Sequence, residues 1–449
     1  MNFELTILGK YARVQGGFAY KSKDFSTHGT CPVLKIKNVR FGHVDYSEAA
    51  FIDKKLAQET ANWATNEGDI LISMTGSGPN APQSLVGRVA RVWKGEPRAW
   101  INQRVGRIQL KSEGSIHTDF LFYLLSAPQS QKYFVSNSSG SANQVNISGK
   151  TIESLPCPDV SYEQSAVIAK VLREIDEKVL INRQINKTLE QMAQAIFKSW
   201  FVDFEPVKAK IKAKKNGRDP ERAAMGAISG KTDKEFDLLP PNHLAQLQAT
   251  ASLFPDELVD SEQGLIPKGW EVHKIEELIK RFPVGKKYSQ KSASERGEIP
   301  ILDQGKSGII GYHNDKPGVT ASSDEPIIVF ANHTCYMRLI MHNFSAIQNV
   351  LPFKGIDLDI YWIYGATYGK QKFIEYKGHW PDFVIKKVVV PDNQLDEKYG
   401  EYVSTFYKAI YQNDLQSLRL EELRDTILPK LLSGEISVAD ASEKMMEAV

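Results

Sequence analysis

Three short fragments recur in the same order in the two halves of this 449-residue chain, and that repetition constrains its fold more than any single motif does. Pro32-Val33-Leu34 matches Pro300-Ile301-Leu302, Ile70-Leu71-Ile72 matches Ile327-Ile328-Val329, and Leu189-Glu190-Gln191-Met192 matches Leu420-Glu421-Glu422-Leu423. The offsets are 268, 257 and 231 positions, so the halves have drifted by insertion and deletion. In each half a strand-rich stretch precedes a long helix. The predicted fold is therefore α+β with a pseudo-twofold internal repeat: two mixed, strand-rich domains and two long coiled-coil helices.

Residues 1–160 hold short β-branched and aromatic runs, such as Pro32 to Val39, Asp69 to Met74 and Val86 to Trp93, between Gly, Asn, Asp and Ser clusters. From Tyr162 the pattern changes. Ile168, Val171, Ile175, Ile185, Leu189, Met192 and Ile196 follow alternating steps of three and four, with Lys178 and Asn182 at the two remaining seam positions. The second half repeats this with Val403, Phe406, Ile410, Asn413, Leu420, Leu423, Ile427 and Leu431. Asn182 and Asn413 lie 231 positions apart, the offset of the helical repeat, and either pair on the seam to fix register or both face water at the edge of the stripe. Pro429 falls inside the apolar pattern and should kink or end the last helix. The boundaries that follow are 1–160 and 266–392 for the strand-rich domains, 161–204 and 393–436 for the helices, 205–265 for a connector and 437–449 for a tail. The connector is basic, through Lys208, Lys210, Lys212, Lys214, Lys215 and Arg218, then turns acidic near Asp256, Glu257 and Asp260.

Composition excludes a disordered chain, at 42% hydrophobic and 24% charged residues. Three widely separated cysteines, Cys31, Cys157 and Cys335, form neither a disulfide framework nor a zinc motif and fit a reducing, cytoplasmic setting. Neither a signal pattern at Met1 to Lys10 nor an apolar run of membrane-spanning length is present. Catalytic motifs are also missing: Gly76-Ser77-Gly78 is too short for a dinucleotide fingerprint, and there is no Walker loop, HExxH, GxSxG or CxxC. His28, His43 and His117 have no acid or Cys at ligand spacing, and His333 with Cys335 supplies two of the four ligands of a zinc site. Pro391-Asp392, Asp396 and Lys398 have a nuclease-like composition but open a helix instead of ending a strand. No catalytic residue and no metal site are expected.

Net charge is only +2, so nucleic-acid binding requires local patches. Residues 1–155 carry 18 Lys/Arg against 12 Asp/Glu, and residues 271–390 carry 16 against 13. Both strand-rich domains are thus basic. Candidate DNA contacts are Lys21, Lys23, Lys35, Lys37, Asn38 and Arg40 in the first, and Lys286, Lys287, Gln304 and Lys306 in the second. Lys and Arg address phosphates and guanine acceptors, whereas Asn and Gln bond adenine twice.

Four segments resemble the specificity (S) subunits of Type I restriction–modification systems. Ile196-Phe197-Lys198-Ser199-Trp200-Phe201-Val202-Asp203-Phe204 is similar to their central region, and Leu265-Ile266-Pro267-Lys268-Gly269-Trp270-Glu271-Val272 to the start of their second recognition domain. Ile427-Leu428-Pro429-Lys430-Leu431-Leu432-Ser433-Gly434-Glu435-Ile436 resembles their C-terminal helix end, and Gly17 to Ser22 with Val33 to Val39 resembles the opening of a target recognition domain. The first half lacks the Ile-Pro-Lys-Gly-Trp run. The resemblance implies two target recognition domains held apart by two long antiparallel helices, each domain reading one half of a bipartite, asymmetric site in double-stranded DNA. It further implies a non-catalytic chain that docks two modification subunits, which use S-adenosylmethionine, and two restriction subunits, which use ATP and Mg. The competing readings are a self-sufficient methyltransferase or nuclease with diverged motifs, and a coiled-coil scaffold that binds only protein.

Overall fold

The computed structural model describes residues 3–78, 84–141, 144–305, 308–392 and 394–448. The chain divides into two compact units, one formed by Met1–Asn182 with Leu415–Val449 and the other by Arg183–Asp414. Both long helices, Tyr162–Phe201 and Leu395–Ser433, contribute to both units.

The strands of the first unit include β1 (Ala12–Gly16), β2 (Cys31–Leu34), β3 (Ala50–Ile52), β4 (Ile70–Ser73), β5 (Val89–Arg91), β6 (Trp100–Ile101) and β7 (Val105–Leu110). β1, β7, β4 and β5 lie side by side and antiparallel, with Gly42–His43 at the far edge. In a second sheet, β2 pairs antiparallel with β3 and parallel with β6. Helix α1 (Thr118–Ser126) buries Phe120 through Leu125 without interruption, as a helix enclosed on nearly every side must. It shares one core with Ile168, Val171, Leu172, Ile175 and Val179 of the central helix and Leu420, Ile427, Leu428 and Leu431 of the C-terminal helix. Asp119 within α1 is 3% exposed and pairs with Arg91 (2.7 Å) on β5 and Arg173 (3.2 Å) on the central helix, so its burial is compensated by charge. Pro429 lies inside the C-terminal helix, which continues four residues further to Ser433; Leu428 and Leu431 on either side are buried and hold it in place.

In the second unit, residues 205–252, expected as a connector, form helices α2 (Glu205–Lys215), α3 (Pro220–Ser229), α4 (Asp233–Phe236) and α5 (Pro241–Ser252). Ala224, Met225, Phe236, Leu247 and Ala251 give them a small core of their own. The strands that follow include β8 (Ile279–Arg281), β9 (Ile299–Leu302), β10 (Ile309–His313), β11 (Ile327–Ala331), β12 (Met337–Ile340), β13 (Ser345–Ile347) and β14 (Val350–Gly355), before α6 (Ile360–Thr367). Their order is β8-β14-β11-β12, antiparallel, while β9 pairs antiparallel with β10 and parallel with β13. The central strand order of the first unit recurs, with β11 where β4 stands and β9 where β2 stands; the first unit adds Gly42–His43 at one sheet edge and the second adds Lys287–Tyr288 beside β13. The matching fragments of the sequence thus occupy matching places, and the repeat is one of structure.

The two segments flanking the helical insert meet in the second core. Trp270 stacks near Phe201 and Phe204 (ring centroids 5.8 and 5.6 Å), and Phe197 and Trp200 pack on Tyr399. Phe204 adopts a left-handed backbone (φ 53°), a conformation that a bulky residue holds only when its surroundings impose it, and it stands at the start of α2, three residues beyond the end of the central helix.

Asp359 caps α6, accepting hydrogen bonds from Tyr361 N (2.8 Å) and Trp362 N (3.1 Å). Burial raises its carboxyl from the ordinary 3.8 to about 6, with Asp396 and Glu397 adding to the effect against those two bonds. An acid raised in the folded state stabilises it fully below the unfolded pKa, and this contribution is lost as pH rises through the folded value. The second unit should therefore lose about 1–2 kcal/mol between pH 4 and 6, after allowance for partial solvent screening. Asp359→Asn, which can cap in the same way, should remove that loss. Thermal melts of both proteins across this range check it; parallel pH profiles would refute it.

Candidate nucleic-acid interface

Alternation along β1 places Arg13 and Gln15 on one face of the first sheet, and alternation along β7 places Arg107 and Gln109 beside them. The register is direct, with Arg107 opposite Gln15 and Gln109 opposite Arg13. Arg107 is 7% exposed and fully engaged. Its Nε and Nη2 donate to Gln15 Oε1 (3.0 and 2.6 Å), Nη2 also to Asn62 O (2.6 Å), and Nη1 to Ala64 O (2.7 Å) and Asp69 Oδ2 (3.1 Å). Gln15 is fixed in turn, because Gln109 Nε2 donates to the same Oε1 (2.8 Å) and Gln15 Nε2 donates to Asn62 O (3.2 Å). Exposed Arg13 has no ion pair among the described residues. Together with Asn62 these groups line an open concavity of about 590 Å³. The Gln15 amide is thus taken up by the fold, whereas the free Arg13 guanidinium, the Gln109 carbonyl oxygen and the Asn62 side chain beside it supply donors and acceptors of the kind that address base edges. Sequence reasoning missed this face, although Arg-Val-Gln at 13–15 and Arg-Ile-Gln at 107–109 repeat one strand-like alternation.

The residues singled out from sequence fall into three groups. Lys21, Lys23 and Lys287 are exposed. Lys37 pairs with Glu48 (3.0 Å), Arg40 with Asp45 (3.7 Å) and Lys286 with Asp315 (2.8 Å), while Lys35 lies 3.6 Å over the Phe25 ring. Partial burial, and secondarily Lys37, lower the Lys35 pKa. These cations are available only at the cost of a protein contact. Asn38 and Gln304 must be corrected, because neither amide is free for a base. Asn38 is 1% exposed, its Oδ1 accepting from Lys35 N (2.9 Å) and its Nδ2 donating to Asp45 O (2.8 Å). Gln304 Oε1 accepts from His333 N (2.9 Å), and its Nε2 donates to Gln348 O (3.4 Å). Both close turns. Lys306 lies outside the described residues.

The second unit offers a different chemistry. The loop after α6 is closed at its base by His379, fully buried, whose Nε2 lies 3.0 Å from Glu375 O and whose N–H donates to Asn332 O (2.8 Å). Its tip leaves Phe373, Ile374 and Tyr376 exposed at 56%, 75% and 83%, beside Lys372 and beside Lys377, which pairs with Glu375 (3.4 Å) and Asp382 (3.1 Å). Apolar side chains flanked by cations are the composition of wedges that enter base steps.

The helix seam is packed at Ile168, Val171, Ile175, Asn182, Leu420 and Ile427, and partly at Leu189, Ile196, Phe406, Ile410, Asn413 and Leu423. Ile185 and Met192 are corrections: at 42% and 45% exposed they lie off the seam, and Asn186 and Ala193 face the partner helix instead. A straight helix drifts by about 20° per heptad against a strict 3.5-residue repeat, so the packed stripe moves on by one position. In the first unit Asn182 Nδ2 donates to Gln416 Oε1 (2.9 Å) and Ser417 Oγ (3.3 Å); in the second, Asn413 Nδ2 donates to Asn186 Oδ1 (2.8 Å). In each unit partner numbers fall as positions rise, so the helices run antiparallel. Among the described residues no group of three or more His, Cys, Asp or Glu is arranged to hold a metal ion.

Residues 2–191 match the family model described as the Type I restriction modification DNA specificity domain. The chain is 29% identical over 363 residues to the Type I restriction enzyme HindI specificity subunit of Haemophilus influenzae, covering 71% of this chain and 77% of that one. It is 24% identical over 347 residues to the MjaIX specificity subunit of Methanocaldococcus jannaschii, covering 72% and 70%. The crystal structure of a Type I restriction–modification S subunit from M. genitalium superposes with a TM-score of 0.51 over 96% of each chain at 15% identity, which shows a shared fold.

Proposed function

We infer, from its likeness to Type I restriction–modification specificity subunits, that this chain is the sequence-reading subunit of such a system, each unit reading one half of a bipartite, asymmetric site in double-stranded DNA. The observation that carries this reading is the pairing of one strand order with two different exposed chemistries. The first unit presents a rigid Arg/Gln/Asn concavity and the second an apolar tip among lysines. Equal scaffolds with unequal faces are suited to two unlike half-sites.

On this reading the chain is non-catalytic and holds no cofactor. Two modification subunits bring S-adenosylmethionine and methylate adenine, and two restriction subunits bring ATP, Mg and cleavage. On this reading the chain works on DNA in the cytoplasm; among the described residues no helix is long and apolar enough to cross a membrane. The alternative of a self-sufficient methyltransferase or nuclease gains no support from the relatives, each of which is named a specificity subunit.

The test is single-molecule sequencing of genomic DNA from cells expressing this chain with and without its modification subunit. Adenine methylation at one bipartite motif only when both are present is the expected result; methylation by this chain alone would overturn the reading. Within that assay, Arg13→Ala should relax discrimination at one position of one half-site by about 1–3 kcal/mol, because a single bidentate contact contributes that much. Competition binding with single-base variants of the motif checks it, and an unchanged preference at every position would remove Arg13 from the interface.

A further inference from the structure

Helix α2 in the second unit carries more positive charge than its packing uses. Its buried face consists of Pro206, Val207, Lys210 and Ala213. Lys210 is 2% exposed, and its ammonium reaches Glu221 (2.8 Å) and Phe254 O (2.7 Å). Lys214 pairs with Asp256 at 2.8 Å. Both lysines are accounted for by the fold. Lys208, Lys212 and Lys215 remain, all exposed and without an ion pair among the described residues, and Arg218 just beyond the helix shares that state.

These three lysines stand at i, i+4 and i+7, which places them on one face, with rises of about 6 and 10.5 Å along the axis. Helix energetics explains part of this, since cations in the last turn complement the helix dipole. It does not explain Lys208, which lies in the second turn from the positive end, where a cation gains nothing. Elsewhere in the insert Arg222 is matched by Asp233 and Asp237, and exposed Lys231 and Lys234, which also have no ion pair among the described residues, lie on other segments and do not extend the row. The stripe is therefore a local excess of point charges, and it contains no amide or aromatic side chain able to read a base. Lysine ammonium groups spaced at several ångströms suit a row of phosphates, whose charge density on a duplex is high and regular.

We propose that Lys208, Lys212 and Lys215 form a sequence-independent contact with the phosphate backbone of duplex DNA, separate from the faces of the strand-rich domains. The inference rests on the DNA-reading function above and adds a second surface to it. Its role is to supply affinity without information, so that recognition-domain contacts can be few.

The test uses the full chain assembled with its modification subunit and a duplex carrying the methylated motif. Affinity is measured over a salt series for the wild type and for the combined Lys208→Gln, Lys212→Gln and Lys215→Gln variant. The variant should show a slope of log K against log salt shallower by about 2.7, at about 0.9 per phosphate released. Affinity for a scrambled duplex should fall by the same factor as for the motif, and the methylated sequence should stay the same. Lys214→Gln, which removes a paired lysine of the same helix, should leave the slope unchanged. An unchanged slope in the triple variant with motif recognition intact would overturn the phosphate contact while leaving the DNA-reading function standing. Failure to assemble with the modification subunit at an unchanged slope would overturn it in favour of a protein contact. A wild-type complex with no preference for any motif would overturn both.

Discussion

Ile175→Asp is expected to unfold the first unit. Ile175 is fully buried in the cluster that joins Val171, Leu172 and Val179 to Leu420 and Ile427 of the opposite helix. Removing its side chain loses about 1.5–3 kcal/mol of apolar burial. A carboxylate in its place would be desolvated with no partner built for it, which costs several kcal/mol more. The total is a large share of the roughly 5–15 kcal/mol that holds an ordinary domain together. Hydrogen exchange followed by mass spectrometry should show protection lost across residues 3–182 and 415–445. Leu423→Asp should be milder, since Leu423 is only partly buried. Wild-type exchange in Ile175→Asp would show that the seam does not depend on this position.

Asp176→Ala, one residue along, should produce a loss of similar size by the opposite route. Asp176 is 8% exposed; it accepts from Tyr123 OH (2.9 Å) and from Arg424 (2.8 Å) on the antiparallel helix. Its carboxylate, with that of Asp425, raises the Arg424 pKa in spite of burial. Removing it leaves the phenol without its buried acceptor and the guanidinium with only the exposed Asp425 (2.9 and 2.8 Å), at a cost of about 3–5 kcal/mol. The ion pair itself need not be stabilising. Asp176→Leu combined with Arg424→Leu should recover most of the loss, because neither charge is then stranded. Denaturant unfolding of the single and double variants measures the coupling, and additive losses would show that the two residues do not act as a pair.

Much of the fold is legible in the sequence because it is written twice. The fragments around Pro32, Ile70 and Leu189 find their counterparts on matching elements, and the apolar spacing marks both long helices. What escapes is the phase of a pattern and the local use of polar groups. The seam strays at Ile185 and Met192 because a stripe counted by heptads and a real helix part company after two turns of the pattern. Asn38 and Gln304 have the composition of base readers, but the Asn38 Nδ2 bonds a backbone atom seven residues away and both ends of the Gln304 amide bond backbone atoms 29 and 44 residues away. Such partners depend on tertiary contacts that no local window contains. The Arg13 and Arg107 face has a local signal in its repeated Arg-x-Gln, yet only the register of two strands 94 residues apart brings Gln15 to Gln109.

The interrupted first unit also sets a timetable. Its central helix is made early, but the segment that covers Ile168, Val171, Leu172 and Ile175 begins only at Leu415. At about 5–20 residues per second, the ribosome takes on the order of 10–50 s to cross that gap. During this interval the second unit, continuous from Arg183 to Asp414, is completed in one pass. The nascent chain therefore carries a greasy, half-covered helix through most of its synthesis, and a truncation anywhere before Leu415 leaves that surface permanently bare. Premature stop codons between positions 393 and 414 should accordingly produce chains that are captured by chaperones or degraded, although both of their strand-rich domains have been translated in full.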